Sequence, residues 1–200
     1  MNRRSILIAA VVGVLALAAA SFLFGRLSVE STAPRPNAVD VGFSRDMAVH
    51  HQQAVLMSEL LRERGTDAEL KAIAVDMVLT QTNQVGQMQG WLALWGEPFA
   101  VAEPPMRWMG GEHASHAADV PMSGMASQAD LNELEGLVGV AAETKYLELM
   151  IPHHEGGVDM AEHAVAHASL PAVRDLARSM LVSQQAELDT LQKFLAARTP

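Results

Sequence analysis

The chain contains no cysteine, so its fold cannot depend on disulfide bonds even in an oxidising compartment. It is also poor in basic residues, with 14 Lys and Arg against 23 Asp and Glu. Proteins that bind nucleic acid cluster Lys and Arg against the phosphate backbone, and this acidic chain lacks such clusters. Its unusual components are 12 methionines and 8 histidines. Both residue types bind soft or borderline metal ions, so metal cations are the more natural partner.

The amino terminus has the pattern of an export signal. Arginines at positions 3, 4 and 26 flank an uncharged run from Ser5 to Phe24. A helix of that length, rising about 1.5 Å per residue, spans roughly 30 Å, the thickness of the bilayer hydrocarbon. We therefore predict an N-terminal transmembrane helix, although the small residues 18–20 also allow cleavage as a signal peptide.

The predicted anchor also sets the location of the rest of the chain. The two arginines before the apolar run place the N-terminus in the cytoplasm, so the C-terminal domain is predicted to be periplasmic or extracellular on a single-pass membrane protein. The predicted organisation is a membrane anchor or signal at 1–27, a polar linker at 28–39 and one metal-binding domain at 40–200.

The domain is an internal duplication. Without any gap, Met47 aligns with Met150, an offset of 103 positions, and the repeat halves cover about residues 40–95 and 143–198. Each half carries the run M-x2-H-H-x5-M, formed by Met47, His50, His51 and Met57 in the first and by Met150, His153, His154 and Met160 in the second. The same offset pairs Met77 with Met180 and Gln81 with Gln184.

Hydrophobic residues recur with a helical period in both halves, and no strand-like alternation is present. Breaks at residues 65–67 and 169–171 divide each half into a helical hairpin, because glycine ends helices and proline begins them. The predicted fold is all-α, a four-helix bundle of two duplicated hairpins. Residues 96–128, rich in Met and His, form a predicted loop, and a short helix is predicted at about 129–138.

The paired motifs are the main candidates for metal ligands. On a helical wheel, each motif places its two histidines and two methionines on one broad face. Neutral thioether sulfur and imidazole nitrogen together suit Cu(I) and tolerate Cu(II). Methionine at helical spacing more often fills a core, but core packing gives no reason for a His-His pair to recur in both halves. Whether the motifs form one centre or two stays open.

Two further groups of histidines are candidate copper ligands. His163 and His167 are four residues apart, which lets two imidazoles meet one ion, although a solvated helix face explains them equally well. His113 and His116 lie in the Met- and His-rich loop. This composition is explained either by a second, flexible copper site or by a loop that is simply disordered. Pro152, inside the second motif, predicts a kink or restart of that helix, which would make the two motifs inequivalent.

At the doubled motif, and most clearly at residues 150–154, the sequence resembles the domain of unknown function family 305, whose better-understood relatives are CopM-like copper-binding proteins. The resemblance covers about residues 40–197. It implies a ferritin-like four-helix fold, copper binding, and a role in extracytoplasmic copper tolerance or trafficking. A ferritin-like di-iron site would need Glu-x-x-His motifs, and no histidine of this chain follows a glutamate by three positions.

The predicted function is therefore copper binding for tolerance, storage or trafficking, with copper as the cofactor and no catalytic residue identified. A copper-dependent redox enzyme and a helical envelope sensor whose histidines respond to pH are the alternatives. A copper-handling partner protein and an oligomer in which the halves exchange between two chains also stay open.

Overall fold

The structure is a computed structural model that describes residues 2–28, 35–110 and 122–198. The chain divides into two compact units, Met1–Pro34 and Arg35–Pro200. The first unit contains helix α1, Arg3–Ser28. Among the described residues, no helix combines the length and hydropathy that a membrane crossing requires, so the structure does not support the predicted transmembrane helix.

The second unit is a helical bundle, as predicted. Its helices are α2 at Ala38–Arg64, α3 at Ala68–Trp95, α4 at Gln128–Gly136, α5 at Gly139–His167 and α6 at Pro171–Ala196, with a short 3-10 helix at Arg107–Met109. Helices α2 and α3 form one hairpin, α5 and α6 form the other, and α2 packs against α5 between them. The described ranges contain no β-strand.

The hairpin turns lie where the sequence predicts them. Asp67 caps α3 by accepting hydrogen bonds from the backbone N–H groups of Glu69 and Leu70. Pro171 is the first residue of α6. A backbone N–H at this position would have no intrahelical partner, so proline costs the helix no hydrogen bond here. The short helix α4 occupies Gln128–Gly136 rather than 129–138.

Helix α5 continues through Pro152, so the predicted restart is wrong, while the alternative of a kink stays a prediction. Proline removes one helical hydrogen bond. On either side of it, Leu149 and His153 are buried.

A buried carboxylate near the start of α2 caps the turn of the opposite hairpin. Asp40 is fully buried and accepts hydrogen bonds from the backbone N–H groups of Ser169, at 3.1 Å, and Leu170, at 3.0 Å. These two residues join α5 to α6. The first half therefore completes the turn of the second.

Glu143, the repeat counterpart of Asp40, makes the reciprocal cap. Its carboxylate accepts hydrogen bonds from the N–H groups of Thr66, at 2.7 Å, and Asp67, at 2.8 Å, in the turn between α2 and α3. Arg198 adds an ion pair at 2.8 Å. The second half thus completes the turn of the first, so the halves are joined by two matching caps.

The core of the bundle consists of two apolar clusters with different compositions. The methionine-rich cluster contains Phe43 and six fully or nearly buried methionines: Met47, Met88, Met106, Met122, Met160 and Met180. The leucine-rich cluster contains Tyr146, seven leucines and the methionines Met57, Met77 and Met150. Along both α2 and α5, the His-His pair lies between residues of the two clusters.

Candidate metal centre

The four motif histidines meet in the middle of the bundle, where α2 packs against α5. His50, His51, His153 and His154 are each at most 1 % exposed. The rings of His50 and His153 are in contact, with centroids 3.7 Å apart and planes inclined by 33°. The structure thereby brings the two motifs, one from each half, into a single cluster, which we call the histidine centre.

Hydrogen bonds in the histidine centre leave three ring nitrogens without a partner. His50 Nε2 lies 3.2 Å from the carbonyl oxygen of Ser123, and His51 Nε2 lies 2.7 Å from the side-chain oxygen of Gln84. Since both oxygens only accept, these ring nitrogens carry the protons. The Nδ1 atoms of both rings, and Nε2 of His153, are buried and have no hydrogen-bond partner among the residues that the structure describes. A ring nitrogen without a proton presents a lone pair, which is what a metal ion binds.

His154 differs from the other three histidines because both of its nitrogens already face acceptors. Nδ1 lies 3.1 Å from the carbonyl oxygen of Met150, and Nε2 lies 2.7 Å from a carboxylate oxygen of Glu187. Both ring nitrogens of His154 are therefore already engaged by neighbouring oxygens, and neither faces an open position in this arrangement. Position 187 is the repeat counterpart of Gln84. An amide in the first half is therefore replaced by a carboxylate in the second.

Burial keeps His50, His51 and His153 neutral. Desolvation is the main cause that lowers the pKa of His50 from 6.5 to about 4 and that of His51 to about 3. Burial also lowers the pKa of His153, and the neighbouring histidines lower it further. Neutral imidazole is the form that ligates metals, so these rings need no deprotonation at pH 7.

The motif methionines lie on both sides of the histidine centre. Met47 and Met160 belong to the methionine-rich cluster, whereas Met57 and Met150 belong to the leucine-rich cluster. All four side chains are fully buried. The first methionine of one motif thus shares a cluster with the last methionine of the other, as expected when α2 and α5 run in opposite directions.

A segment of the long connection, Met122–Ala126, lies over the centre, and we call it the strap. Besides the contact between Ser123 and His50, Gln53 of α2 both donates to the carbonyl oxygen of Ala126, at 3.0 Å, and accepts from its N–H, at 2.8 Å. On α5 the repeat counterpart of Gln53 is Gly156, where a Cβ would meet the carbonyl oxygen of Ser123. The strap therefore depends on a hydrogen-bonding side chain in one half and on the lack of a side chain in the other.

The family model for the domain of unknown function DUF305 matches residues 40–195. The chain belongs to the DUF305 family. A DUF305 crystal structure from Streptomyces coelicolor, described as a candidate secreted protein, is 44% identical with a TM-score of 0.74, over 80% of this chain and 93% of that one. A DUF305 fragment from Deinococcus radiodurans is 33% identical with a TM-score of 0.68, over 82% of this chain and 99% of that one.

A third similar structure is CopM in its Cu(II)-bound form. It is 25% identical to this DUF305 protein with a TM-score of 0.63, and the match covers 80% of this chain and 97% of CopM. Among curated proteins, none matches this chain.

The other predicted ligands of this DUF305 protein lie away from the histidine centre or outside the described residues. His163 and His167 follow on α5, with ring centroids 4.4 Å apart. His113 and His116 fall at positions that the structure does not describe. Within residues 2–28, 35–110 and 122–198, no three His, Cys, Asp or Glu side chains are grouped so that they could hold a metal ion.

Sequence reasoning did not identify the polar partners of the histidines. Gln84 and Glu187 are related by the same offset that aligns the motifs, so extending the repeat alignment to polar positions would have found them. The same step would have paired Asp40 with Glu143. The strap had no such signal, because residues 122–126 lie in the connection between the repeats and show no period.

Proposed function

We propose that this DUF305 protein is an extracytoplasmic copper-binding protein that holds copper at the histidine centre, for copper tolerance, storage or trafficking. The proposed nitrogen ligands are His50, His51 and His153, which would have to move closer together on binding, because these side chains as they stand do not form a group that could hold a metal ion. The proposed sulfur ligands are the four motif methionines, Met47, Met57, Met150 and Met160. His154, with both nitrogens engaged, acts beside the ligands as a partner of Glu187.

The observation that carries this proposal is the set of three buried, unpartnered ring nitrogens. Leaving a buried hydrogen-bonding group unsatisfied costs roughly 1–3 kcal/mol. Two of these nitrogens belong to the rings of His50 and His51, whose other nitrogens are engaged as donors. A bound metal ion would supply the missing partner to each lone pair. Metal binding would therefore remove the free-energy cost of leaving these nitrogens unsatisfied.

The chemistry of the donors favours copper. Imidazole combined with thioether sulfur suits Cu(I) and tolerates Cu(II). Structural zinc sites use thiolate or compact sets of histidine and carboxylate, and this chain has no cysteine. CopM, which shares the fold, is described in a Cu(II)-bound form, and that description adds support.

The proposed location outside the cytoplasm has two supports. The Streptomyces coelicolor relative is described as a candidate secreted protein, and the N-terminal sequence has basic residues before an apolar run. Cell fractionation, with the mass of the mature chain, tests export and tells an uncleaved anchor from a removed signal. A cytoplasmic protein would contradict the location.

The test of copper binding uses the compact unit Arg35–Pro200 and competition with a chromophoric Cu(I) chelator. His153→Gln should lower the Cu(I) affinity by more than about a hundredfold, because losing a ligand exceeds the 10–100-fold loss that follows removal of an outer partner. The matched control is His167→Gln, the same change at an exposed position, which should leave Cu(I) affinity unchanged. Helical circular dichroism confirms that both variants fold. An unchanged affinity in a folded His153→Gln protein would contradict the proposed centre.

A further inference from the structure

A second pair of histidines lies at the C-terminal end of α5, outside the histidine centre. His163 and His167 are one helical turn apart, and their ring centroids are separated by 4.4 Å at an inclination of 45°. His163 is half-buried and His167 is exposed. Two imidazole nitrogens that bind one ion at about 2.0–2.1 Å lie roughly 3 Å apart. A centroid separation of 4.4 Å is compatible with that spacing.

The backbone that carries this pair is held in place. The side-chain amide of Asn37, the N-cap of α2, donates a hydrogen bond of 2.9 Å to the carbonyl oxygen of His167. Trp108 packs edge-on against His163, with ring centroids 5.5 Å apart. The indole is itself fixed, because its N–H donates to Asp46 at 2.8 Å. The pair therefore projects from an ordered part of the bundle.

The C-terminal end of α5 already binds one cationic side chain. His167 is the last residue of α5, a helix of 29 residues. The carbonyl groups at a helix C-terminus carry roughly half a negative charge, and here the guanidinium of Arg174 donates hydrogen bonds of 2.7 and 2.9 Å to the carbonyl oxygens of Ala168 and Ser169. Because His167 is exposed, water can complete the coordination of an ion that enters from solution.

The two groups of histidines are separate sites. His163 follows His153 by ten positions on the same helix, which at about 1.5 Å per residue is about 15 Å. Their surroundings also differ. The histidine centre is buried and lies between clusters that contain the motif methionines, whereas His167 at the end of α5 is exposed.

We propose that His163 and His167 form a second metal site that takes a hydrated divalent cation, Cu(II) above all. Imidazole is a good ligand for divalent first-row metals, and Cu(II) binds most tightly in that series. The soft, buried donors of the histidine centre suit Cu(I) instead. The protein thus has one site for each oxidation state, an aqueous site for Cu(II) and a buried site for Cu(I).

Trp108 provides a direct readout of this second site, since a paramagnetic Cu(II) ion on His163 would quench the adjacent indole. The experiment titrates the full chain with Cu(II) buffered by glycine, and follows tryptophan fluorescence and the Cu(II) electron paramagnetic resonance spectrum. One equivalent of Cu(II) should quench the wild-type protein, with nitrogen hyperfine structure in the spectrum. Trp108→Phe should lose most of the quenching but keep the spectrum.

The decisive variants are His167→Gln and His153→Gln, compared in both assays. His167→Gln should weaken Cu(II) binding at least tenfold and leave Cu(I) affinity unchanged, and His167 is exposed, so this variant should fold. His153→Gln should do the reverse, which separates failure of this site from failure of the histidine centre. Equal Cu(II) binding by wild type and His167→Gln, or loss of the fluorescence quenching in His153→Gln alone, would overturn the proposal.

Discussion

The first hairpin, α2 and α3, and the second hairpin, α5 and α6, place their histidines at repeat-related positions but give them different partners. His51 donates to the amide of Gln84, whereas its counterpart His154 faces the carboxylate of Glu187. One ring keeps an unpartnered nitrogen and the other does not. The duplication thus determines where the imidazole rings lie. The partner residues determine whether each ring has a nitrogen available to bind a ligand.

The same contrast extends to the caps and to the strap. Asp40 and Glu143 occupy equivalent positions, yet only Glu143 has an arginine partner. Gln53 holds the strap through two hydrogen bonds, while Gly156 makes room for it. Equivalent positions of the two halves thus contribute unequally to the free energy of unfolding, and substitutions can measure the differences.

The largest effect is expected from removing the cap of the first turn. Glu143→Ala removes the cap of this turn and one of the two carboxylate partners of Arg198, whose ion pair with Asp67 at 2.7 Å remains. The loss should be about 3 kcal/mol, the upper end of the cost of removing charged hydrogen bonds. Asp40→Ala removes hydrogen bonds but no arginine pair, so it should cost about 1–3 kcal/mol. Urea unfolding of both variants measures the difference. Equal losses would show that Arg198 adds nothing to the cap.

Acid should remove part of the stability that Glu143 provides. Burial alone would raise its pKa, but hydrogen bonds from Asp67, Arg198 and Thr66 outweigh burial and lower the pKa from 4.5 to about 2. Because the folded pKa is the lower one, the contribution is complete above about pH 4.5 and is lost as the pH falls through about 2. A shift of this size corresponds to about 3 kcal/mol.

The pH dependence can be isolated with Glu143→Gln. Unfolding free energies of wild type and variant should converge as the pH is lowered, because the variant has no carboxylate to protonate at this position. A constant difference between the two proteins from about pH 6 to about pH 2 would argue against the depressed pKa.

The strap can be displaced by adding one methyl group. In Gly156→Ala the new Cβ would meet the carbonyl oxygen of Ser123, and such overpacking costs about 1–3 kcal/mol. Gly90→Ala is the matched control, since its Cβ would meet open space on α3 and should stabilise the helix by about 0.5–1 kcal/mol. Thermal unfolding of both variants gives the result. Stabilisation by both changes would show that the strap does not pack against α5.

Replacing the carboxylate of Glu187 by an amide would give His154 the same kind of partner that His51 has in Gln84. If the histidine centre binds copper, Glu187→Gln should weaken Cu(I) binding by about tenfold, because an outer partner orients its histidine and places negative charge near the cation. Competition with a Cu(I) chelator measures the affinity. An affinity equal to that of wild type would show that the two partners are interchangeable.

The smallest effect is expected at the aromatic pair Phe43 and Tyr146. The Tyr146 hydroxyl donates to the sulfur of Met77 at 3.1 Å and lies 3.3 Å from Ser58 Oγ, so Tyr146→Phe should cost about 1 kcal/mol. The reverse change, Phe43→Tyr, should cost more. The repeat counterpart of Ser58 is Ala161, which has no hydroxyl group to pair with the new one. Guanidinium unfolding distinguishes the two. A larger loss in Tyr146→Phe would reverse this ranking.

Much of the fold was predictable because the repeat and the helical period are both local signals. Hairpin turns, the connection at 96–128 and the short helix before α5 could be located from glycine, proline and hydrophobic spacing. Pro152 shows the limit of such rules, because α5 continues through it although proline disfavours a helix interior.

The candidate site was less predictable than the fold. The motifs indicated which histidines matter, and antiparallel packing of α2 on α5 brings them together. Sequence alone did not show that His154 would have both nitrogens engaged, because this depends on Glu187 reaching it from another helix. It also did not show that the strap would cover His50, since backbone carbonyl groups such as that of Ser123 carry no sequence signal.

The reciprocal caps have a consequence for how the chain folds. Leu170 is 130 positions from Asp40, and Thr66 is 77 positions from Glu143. During synthesis, the turn of the first hairpin therefore obtains its cap only after Glu143 has emerged, and water occupies these N–H groups until then. We expect this mutual capping to make unfolding cooperative across the whole bundle, and we expect the two hairpins, produced as separate fragments, to reassemble into one domain.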